Sequence, residues 1–141
     1  YWNRPEATAE ALVDGWLHTG DIGTMDADGY VTVVDRKKDI IISGGANIFP
    51  KDIEEVVARH PAVAEVAVYG VAHPNWGEAV EAAIVLKQGQ RLEAEEIAAF
   101  ARGHLAGYKV PRSVRFLDAL PRNPSGKILK RELRTRFAAA G

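Results

Sequence analysis

Cysteine is missing from the chain, which removes disulfide staples, thiolate chemistry and cysteine-based zinc sites together. That absence fits a reducing compartment, with the cytosol as the expected location. Long apolar runs are missing as well. The longest candidates, near Ile40 to Ile42 and Ala82 to Leu86, are strand-sized and fall well short of the roughly 20 residues that a membrane-spanning helix needs. No membrane span is therefore expected. The opening Tyr1-Trp2-Asn3-Arg4-Pro5-Glu6 lacks an initiator methionine, a basic start and an apolar signal stretch. It reads as the interior of a longer protein whose beginning has been cut away.

What is present is enough for a working core. Of the 141 residues, 47% are hydrophobic, and the length suits one domain or one domain plus a fragment. The net charge of -1 conceals an uneven distribution. Lys109, Arg112, Arg115, Arg122, Lys127, Lys130, Arg131, Arg134 and Arg136 face only Asp118 and Glu132 in the last stretch. Such a block suggests an anionic partner, either a nucleotide phosphate or a nucleic acid, or else a solvated basic face.

Ile22 to Met25 and Tyr30 to Asp35 flank Asp26-Ala27-Asp28-Gly29, and an Asp-Gly pair between β-prone runs predicts a hairpin. The charged Arg36-Lys37-Lys38-Asp39 then interrupts the apolar pattern before a strand at Ile40 to Ile42 that ends at Ser43-Gly44-Gly45. It is a candidate domain boundary, because few apolar contacts need to break when a solvated segment changes its dihedrals. From Pro50 onward Ile53, Val56 and Val57 recur at helical spacing until His60-Pro61. Val63 to Val71 and Ala79 to Leu86 read as paired strands. A second helix is marked by Ile97, Phe100, Ala101 and Leu105, a strand by Ser113 to Leu117, and a third helix by Leu129, Leu133 and Phe137. The expected class is α+β, a small sheet packed by about three helices and preceded by a hairpin. The Ala138-Ala139-Ala140-Gly141 tail is expected to fray.

Several residues are candidates for chemistry. Lys127 lies in Pro121-Arg122-Asn123-Pro124-Ser125-Gly126-Lys127, a turn-rich loop just before a helix. A lysine there is a mobile point charge able to stabilise oxygens that grow more negative during acyl transfer or phosphate departure. Its Gly126-Lys127 pair lacks the upstream spacing of a P-loop. Asp21, in Thr19-Gly20-Asp21, stands at the hairpin entrance, where a carboxylate can accept both hydroxyls of a ribose or simply cap a turn. Arg36 offers a planar fork to phosphate or ribose, or is an ordinary surface arginine. Ser43-Gly44-Gly45 permits close approach of a slender ligand, or is a turn.

Taken in order, WLHTGD ending at Asp21, GYVTVVDRKKDIIISGG from Gly29 to Gly45 and PRNPSGKILKREL from Pro121 to Leu133 resemble the adenylate-forming superfamily of acyl-CoA synthetases, luciferases and peptide-synthetase adenylation domains. The resemblance covers essentially the whole chain. It implies a two-step reaction in which a carboxylate attacks ATP to give acyl-AMP and pyrophosphate, and a thiol then displaces AMP. It also implies that Lys127 reaches the carboxylate and phosphate oxygens during adenylation, that Asp21 holds the ribose hydroxyls and that Arg36 contacts the nucleotide. Lys38 matches the hinge about which the C-terminal lid domain rotates between the half-reactions. On that reading residues 1–37 end the larger N-terminal adenylation domain and residues 38–141 form the lid.

The face brought in by rotation would contain Gly44 and Gly45, leaving a passage for the pantetheine arm of coenzyme A. Trp76 resembles a position that stacks on the CoA adenine, with Tyr108 and Arg112 in the same implied site; a strand-edge aromatic and a packing tyrosine are the plainer readings. The wording of Ile41 to Gly45 and of Asn47-Ile48-Phe49-Pro50 looks more like fatty-acid and aryl-acid CoA ligases than like peptide-synthetase domains. One departure is Ala46, where many relatives carry Glu. The phosphate loop, the acyl pocket and any ligand for the Mg2+ that accompanies ATP belong to the N-terminal domain in the family, so the fragment alone is expected to be inactive. Two alternatives accompany this reading: an enzyme acylating a carrier protein or forming fatty acyl-AMP, and, from a different class, a basic nucleic-acid-binding module.

Overall fold

The computed structural model describes residues 1–137; the alanine-rich tail lies outside the described residues. The chain falls into two compact units, Tyr1–Lys38 and a second beginning at Asp39.

In the first unit, helix α1 (Pro5–Ala11) leads into a two-stranded ladder of β1 (Leu12–Val13) and β2 (Trp16–Leu17). Neither was expected from the periodicity. The signal was there in composition, because Pro5 opens an alanine-rich segment and proline is pre-organised for the first helical position. The predicted hairpin forms from β3 (Asp21–Met25) and β4 (Val31–Arg36), which are antiparallel. Its turn is held by the Asp26 carboxylate, whose Oδ1 accepts the N–H groups of Asp28 at 3.0 Å and Tyr30 at 2.9 Å. None of residues 1–38 is buried, and Trp2, Trp16, Met25 and Tyr30 are widely exposed.

The second unit is built on a five-stranded sheet, with β5 (Ile41–Ser43), β6 (Ala46–Ile48), β7 (Val63–His73), β8 (Gly77–Leu86) and β9 (Ser113–Phe116). The path runs β6-β5-β8-β7, and β9 pairs with β8. β7 and β8 are antiparallel from Val63↔Leu86 to His73↔Gly77, so both strands run past the predicted Val71 and Ala79 and meet in a turn at residues 74–76. β9 lies parallel to β8, which requires a crossover, and α3 (Ala94–Arg102) supplies it. Glu96 closes the start of that helix by accepting the Glu93 N–H at 2.8 Å. β6 is the one strand of this unit that the hydrophobic pattern did not predict.

Three helices cover the sheet on two faces. α2 (Pro50–Val57) and α3 bring Ile53, Val57 and Ile97 against Val68, Val80, Ala82 and Ile84. On the other face α4 (Lys130–Phe137) brings Leu133 against Ala67, Tyr69, Ala83 and Leu120. Each such aliphatic side chain contributes about 1.5–3 kcal/mol on burial. The α+β class with about three helices on a central sheet is therefore the architecture found. A sheet covered on both sides also explains why a carboxylate on β8, Glu81, is buried: it faces α4 and not solvent.

Candidate functional site

The loop that carries Lys127 is rigid at its base and open at its end. Asn123 organises it: its N–H donates to the Lys127 carbonyl at 2.9 Å, and its Oδ1 accepts the Lys127 N–H and the Ser125 hydroxyl, both at 2.8 Å. Gly126 turns the chain with φ of +85°, a conformation that costs a side-chain-bearing residue roughly 1–2 kcal/mol. Arg122 bridges to Ile128 across the loop, and the Leu129 N–H donates to the Pro121 carbonyl at 2.8 Å. Lys127 itself is exposed, and its ammonium has no hydrogen-bond or ion-pair partner among the described residues.

Asp21 and Arg36 are directly opposite in the β3–β4 hairpin, with Arg36 Nε 3.3 Å from Asp21 Oδ1. The second carboxylate oxygen of Asp21 has no partner among the described residues, so it remains an acceptor for hydroxyls. An open cleft of about 520 Å³ lined by Thr19, Gly20, Arg36, Lys37 and Lys38 lies in the same unit. Its three cations give it the charge that phosphate oxygens would need. Lys38 is the last residue of the first unit, exposed in a short 3-10 turn, Lys37–Asp39.

Gly44 and Gly45 form the two-residue turn between β5 and β6, with φ of +56° and +82°. Both signs are positive, which is the hairpin geometry that selects glycine for the backbone alone. A Cβ on Gly45 would meet nothing within 4 Å, whereas one on Gly44 would lie 3.8 Å from Trp76 Cδ1. The Gly44 N–H donates to the Trp76 carbonyl at 2.9 Å. The structure therefore brings Gly44, Gly45 and Trp76 together. Arg112 joins them, its guanidinium carbon 3.6 Å from the Trp76 ring centroid. His73, which the sequence did not single out, stacks on the indole at 4.1 Å with planes 15° apart. Tyr108 is not brought into this cluster by any ring contact among the described residues; it is exposed on the 3-10 turn Gly107–Lys109.

Two further groups escaped the sequence reading. The Tyr69 hydroxyl donates to Glu81 Oε1 at 2.7 Å and the Ser113 hydroxyl donates to Oε2 at 2.5 Å, while Arg115 Nε stands 3.6 Å from Oε1. Burial first, and then the hydrogen bond to Glu81, push the Tyr69 phenol well above its ordinary value. The basic stretch is also less free than its composition suggests. Lys109, Arg115, Arg122, Lys130 and Arg134 form ion pairs with Asp52, Glu81, Glu65, Glu54 and Asp39. Among the described residues no three His, Asp or Glu side chains converge as a metal site. No helix among them is long and apolar enough to cross a membrane.

Residues 52–127 match the family described as AMP-binding enzyme C-terminal domain. The chain is 56% identical over 137 residues to a feruloyl-CoA synthase from an Amycolatopsis species, covering 97% of this chain and 28% of that protein. It is 50% identical over 137 residues to the fatty acid–[acyl-carrier-protein] ligase ScoC of Streptomyces coeruleorubidus, with 97% and 26% covered. Among solved structures, ATP-bound MatB from Rhodopseudomonas palustris superposes with a TM-score of 0.91 at 39% identity, over 99% of this chain and 28% of that one. The chain spans little more than a quarter of the length of these relatives.

Proposed function

Because this chain belongs to the family of AMP-binding enzyme C-terminal domains, we propose that it is the C-terminal portion of an AMP-forming acyl-CoA synthetase. Residues 38–141 are the lid, residues 1–37 complete the N-terminal adenylation domain, and Lys38 is the hinge between them. In the first half-reaction a carboxylate oxygen attacks the α-phosphorus of ATP, the bond to the β-phosphate oxygen breaks, and pyrophosphate leaves. In the second, the CoA thiolate attacks the acyl carbonyl, the carbon–oxygen bond to AMP breaks, and AMP leaves. ATP, the acid, CoA and Mg2+ meet only in the whole enzyme, for which the cytosol is the expected location.

The observation that carries this reading is the Lys127 ammonium, unpartnered among the described residues, on a loop whose base is fixed by Asn123. Negative charge gathers on the carboxylate and α-phosphate oxygens as the first half-reaction proceeds. A pre-positioned cation there lowers the barrier because it needs no reorganisation when the charge develops. Asp21, through its free oxygen, holds the ribose hydroxyls, and Arg36 both orients Asp21 and contacts the nucleotide. In the second half-reaction the Gly44-Gly45 turn admits the pantetheine arm, Trp76 stacks on the adenine, and Arg112 meets a CoA phosphate.

A fatty or aryl acid is the substrate class we favour, since a feruloyl-CoA synthase is similar over almost the full chain. A carrier-protein phosphopantetheine thiol is the second reading for the acceptor, prompted by the similarity to ScoC. The test is to supply the full-length enzyme with ATP, Mg2+ and a panel of fatty and aryl acids, with CoA or a phosphopantetheinyl carrier protein as acceptor. Pyrophosphate release followed by CoA thioester is the expected outcome. Carrier-protein thioester without CoA thioester would favour the second acceptor, and no acid-dependent pyrophosphate release would overturn the reading.

A further inference from the structure

We propose that Arg122 is a positioning residue for Lys127, tying the lysine's loop to the central sheet through Glu65. The proposal rests on the adenylation role given to Lys127 above. The Arg122 Nη1 donates to the Gly126 carbonyl at 2.6 Å, and Nη2 donates to Glu65 Oε1 at 2.6 Å. Glu65 belongs to β7, a strand held along almost its whole length by β8. The Gly126 carbonyl belongs to the peptide that supplies the Lys127 N–H. One planar guanidinium therefore spans the distance between a fixed strand and the peptide on which Lys127 hangs.

The chemistry of the fork explains why an arginine is needed here. Asn123 closes the loop on itself, but among the described residues its hydrogen bonds reach only Ser125, Gly126 and Lys127. It gives the loop a shape without fixing where that shape sits. Arg122 has two donors in a rigid plane, so both bonds are satisfied at one loop position only. A lysine is a point charge on a flexible stem and cannot hold both acceptors in that way.

The energetics separate this role from simple stabilisation. Arg122 and Glu65 side chains are 41% and 39% exposed, and pairs that exposed contribute little to folding. Geometry is the larger consequence, since misplacing a catalytic group by about 1 Å can lower a rate about 100-fold. Arg122 is also a cation near Lys127, which raises the alternative that it acts directly through its charge on substrate phosphates. Glu65 decides between the two. Glu65→Gln leaves Arg122 more electropositive and reduces its tether to a weaker, neutral hydrogen bond, so a charge role predicts faster adenylation and a positioning role predicts slower.

The experiment uses the full-length enzyme with Arg122→Ala, Arg122→Lys, Glu65→Gln, the Glu65→Gln/Arg122→Ala double variant and Lys127→Ala. Carboxylate-dependent ATP–pyrophosphate exchange reads adenylation, and thioester formation from supplied acyl-adenylate reads the second half-reaction. Arg122→Ala is expected to lower the exchange kcat by about 10- to 100-fold while thioester formation stays within about twofold. Glu65→Gln should lower exchange in the same direction, Arg122→Lys should restore it only in part, and the double variant should be no slower than Arg122→Ala, as expected for one coupled unit. Exchange within twofold of wild type in Arg122→Ala, while Lys127→Ala abolishes it, would overturn this proposal and leave the role of Lys127 intact. Faster exchange in Glu65→Gln, or equal loss in both half-reactions, would also overturn it. Normal exchange in Lys127→Ala would remove the reading on which it rests.

Discussion

The Arg112 guanidinium lies 3.6 Å from the Trp76 ring centroid, joining the β7–β8 turn to the segment that leads into β9. With His73 stacked on the same indole, Trp76 is already engaged by its own chain. A cation over an indole is worth about 0.5–2 kcal/mol depending on desolvation. A nucleobase taking one of these places must therefore displace a partner of comparable strength.

Replacing Trp76 by Ala in the full-length enzyme is expected to lower kcat/KM for CoA about tenfold, since a base stacked on an aromatic contributes roughly 1–3 kcal/mol. Acid-dependent pyrophosphate exchange should be unaffected. Saturation kinetics with CoA varied at fixed acid and ATP measure this. Unchanged CoA kinetics would reduce Trp76 to a turn-packing residue.

Gly45→Ala and Gly45→Asn separate two explanations of the glycine turn. With φ of +82° and open space beyond its Cα, alanine should cost about 1–2 kcal/mol of stability through backbone strain, and asparagine, which tolerates this conformation, should cost less. If the turn is a passage for pantetheine, both variants slow thioester formation although asparagine regains stability. Full recovery of the thioester rate in Gly45→Asn would show that the glycine serves the backbone only.

Burial of Tyr69, reinforced by its hydrogen bond to Glu81, gives the fold a pH dependence with a definite sign. The folded phenol holds its proton more tightly than the unfolded one, whose ordinary value is 10.0. The stability it contributes is thus complete below pH 10 and falls as the pH rises above it, by about 1.4 kcal/mol per pH unit for one proton. Denaturant unfolding at a series of alkaline pH values should show this fall in the wild type. Tyr69→Phe should lack it and should be less stable at neutral pH by about 1–3 kcal/mol, because Glu81 then loses a donor while still buried. Parallel alkaline losses in both proteins would contradict the assignment.

Local signals made most of the second unit legible. Pro50 with Ile53, Val56 and Val57 marked α2 and the β-branched runs marked β7 and β8, while in the first unit the Asp26–Gly29 turn marked the β3–β4 hairpin. What was hidden depends on partners distant in sequence. β6 has only three residues and exists through its pairing with β5. Glu81 reads as the polar position of an alternating strand, and only α4 lying across that face, with Tyr69 and Ser113 aimed at the carboxylate, makes it interior. The site followed the same division. Lys127, Asp21, Arg36 and the glycine pair could be named from motifs, whereas His73 beside Trp76 and Glu65 beneath the Lys127 loop require the register of β7 to be known.

The most direct measurement compares the two half-reactions in Lys127→Ala of the full-length enzyme. Loss of one pre-positioned donor of this kind typically costs about 100- to 1000-fold, so carboxylate-dependent ATP–pyrophosphate exchange should fall by at least that factor. Thioester formation from supplied acyl-adenylate should continue at close to the wild-type rate, because the lysine is then turned away. Exchange at the wild-type rate, or an equal fall in both half-reactions, would contradict the central claim that Lys127 serves adenylation alone.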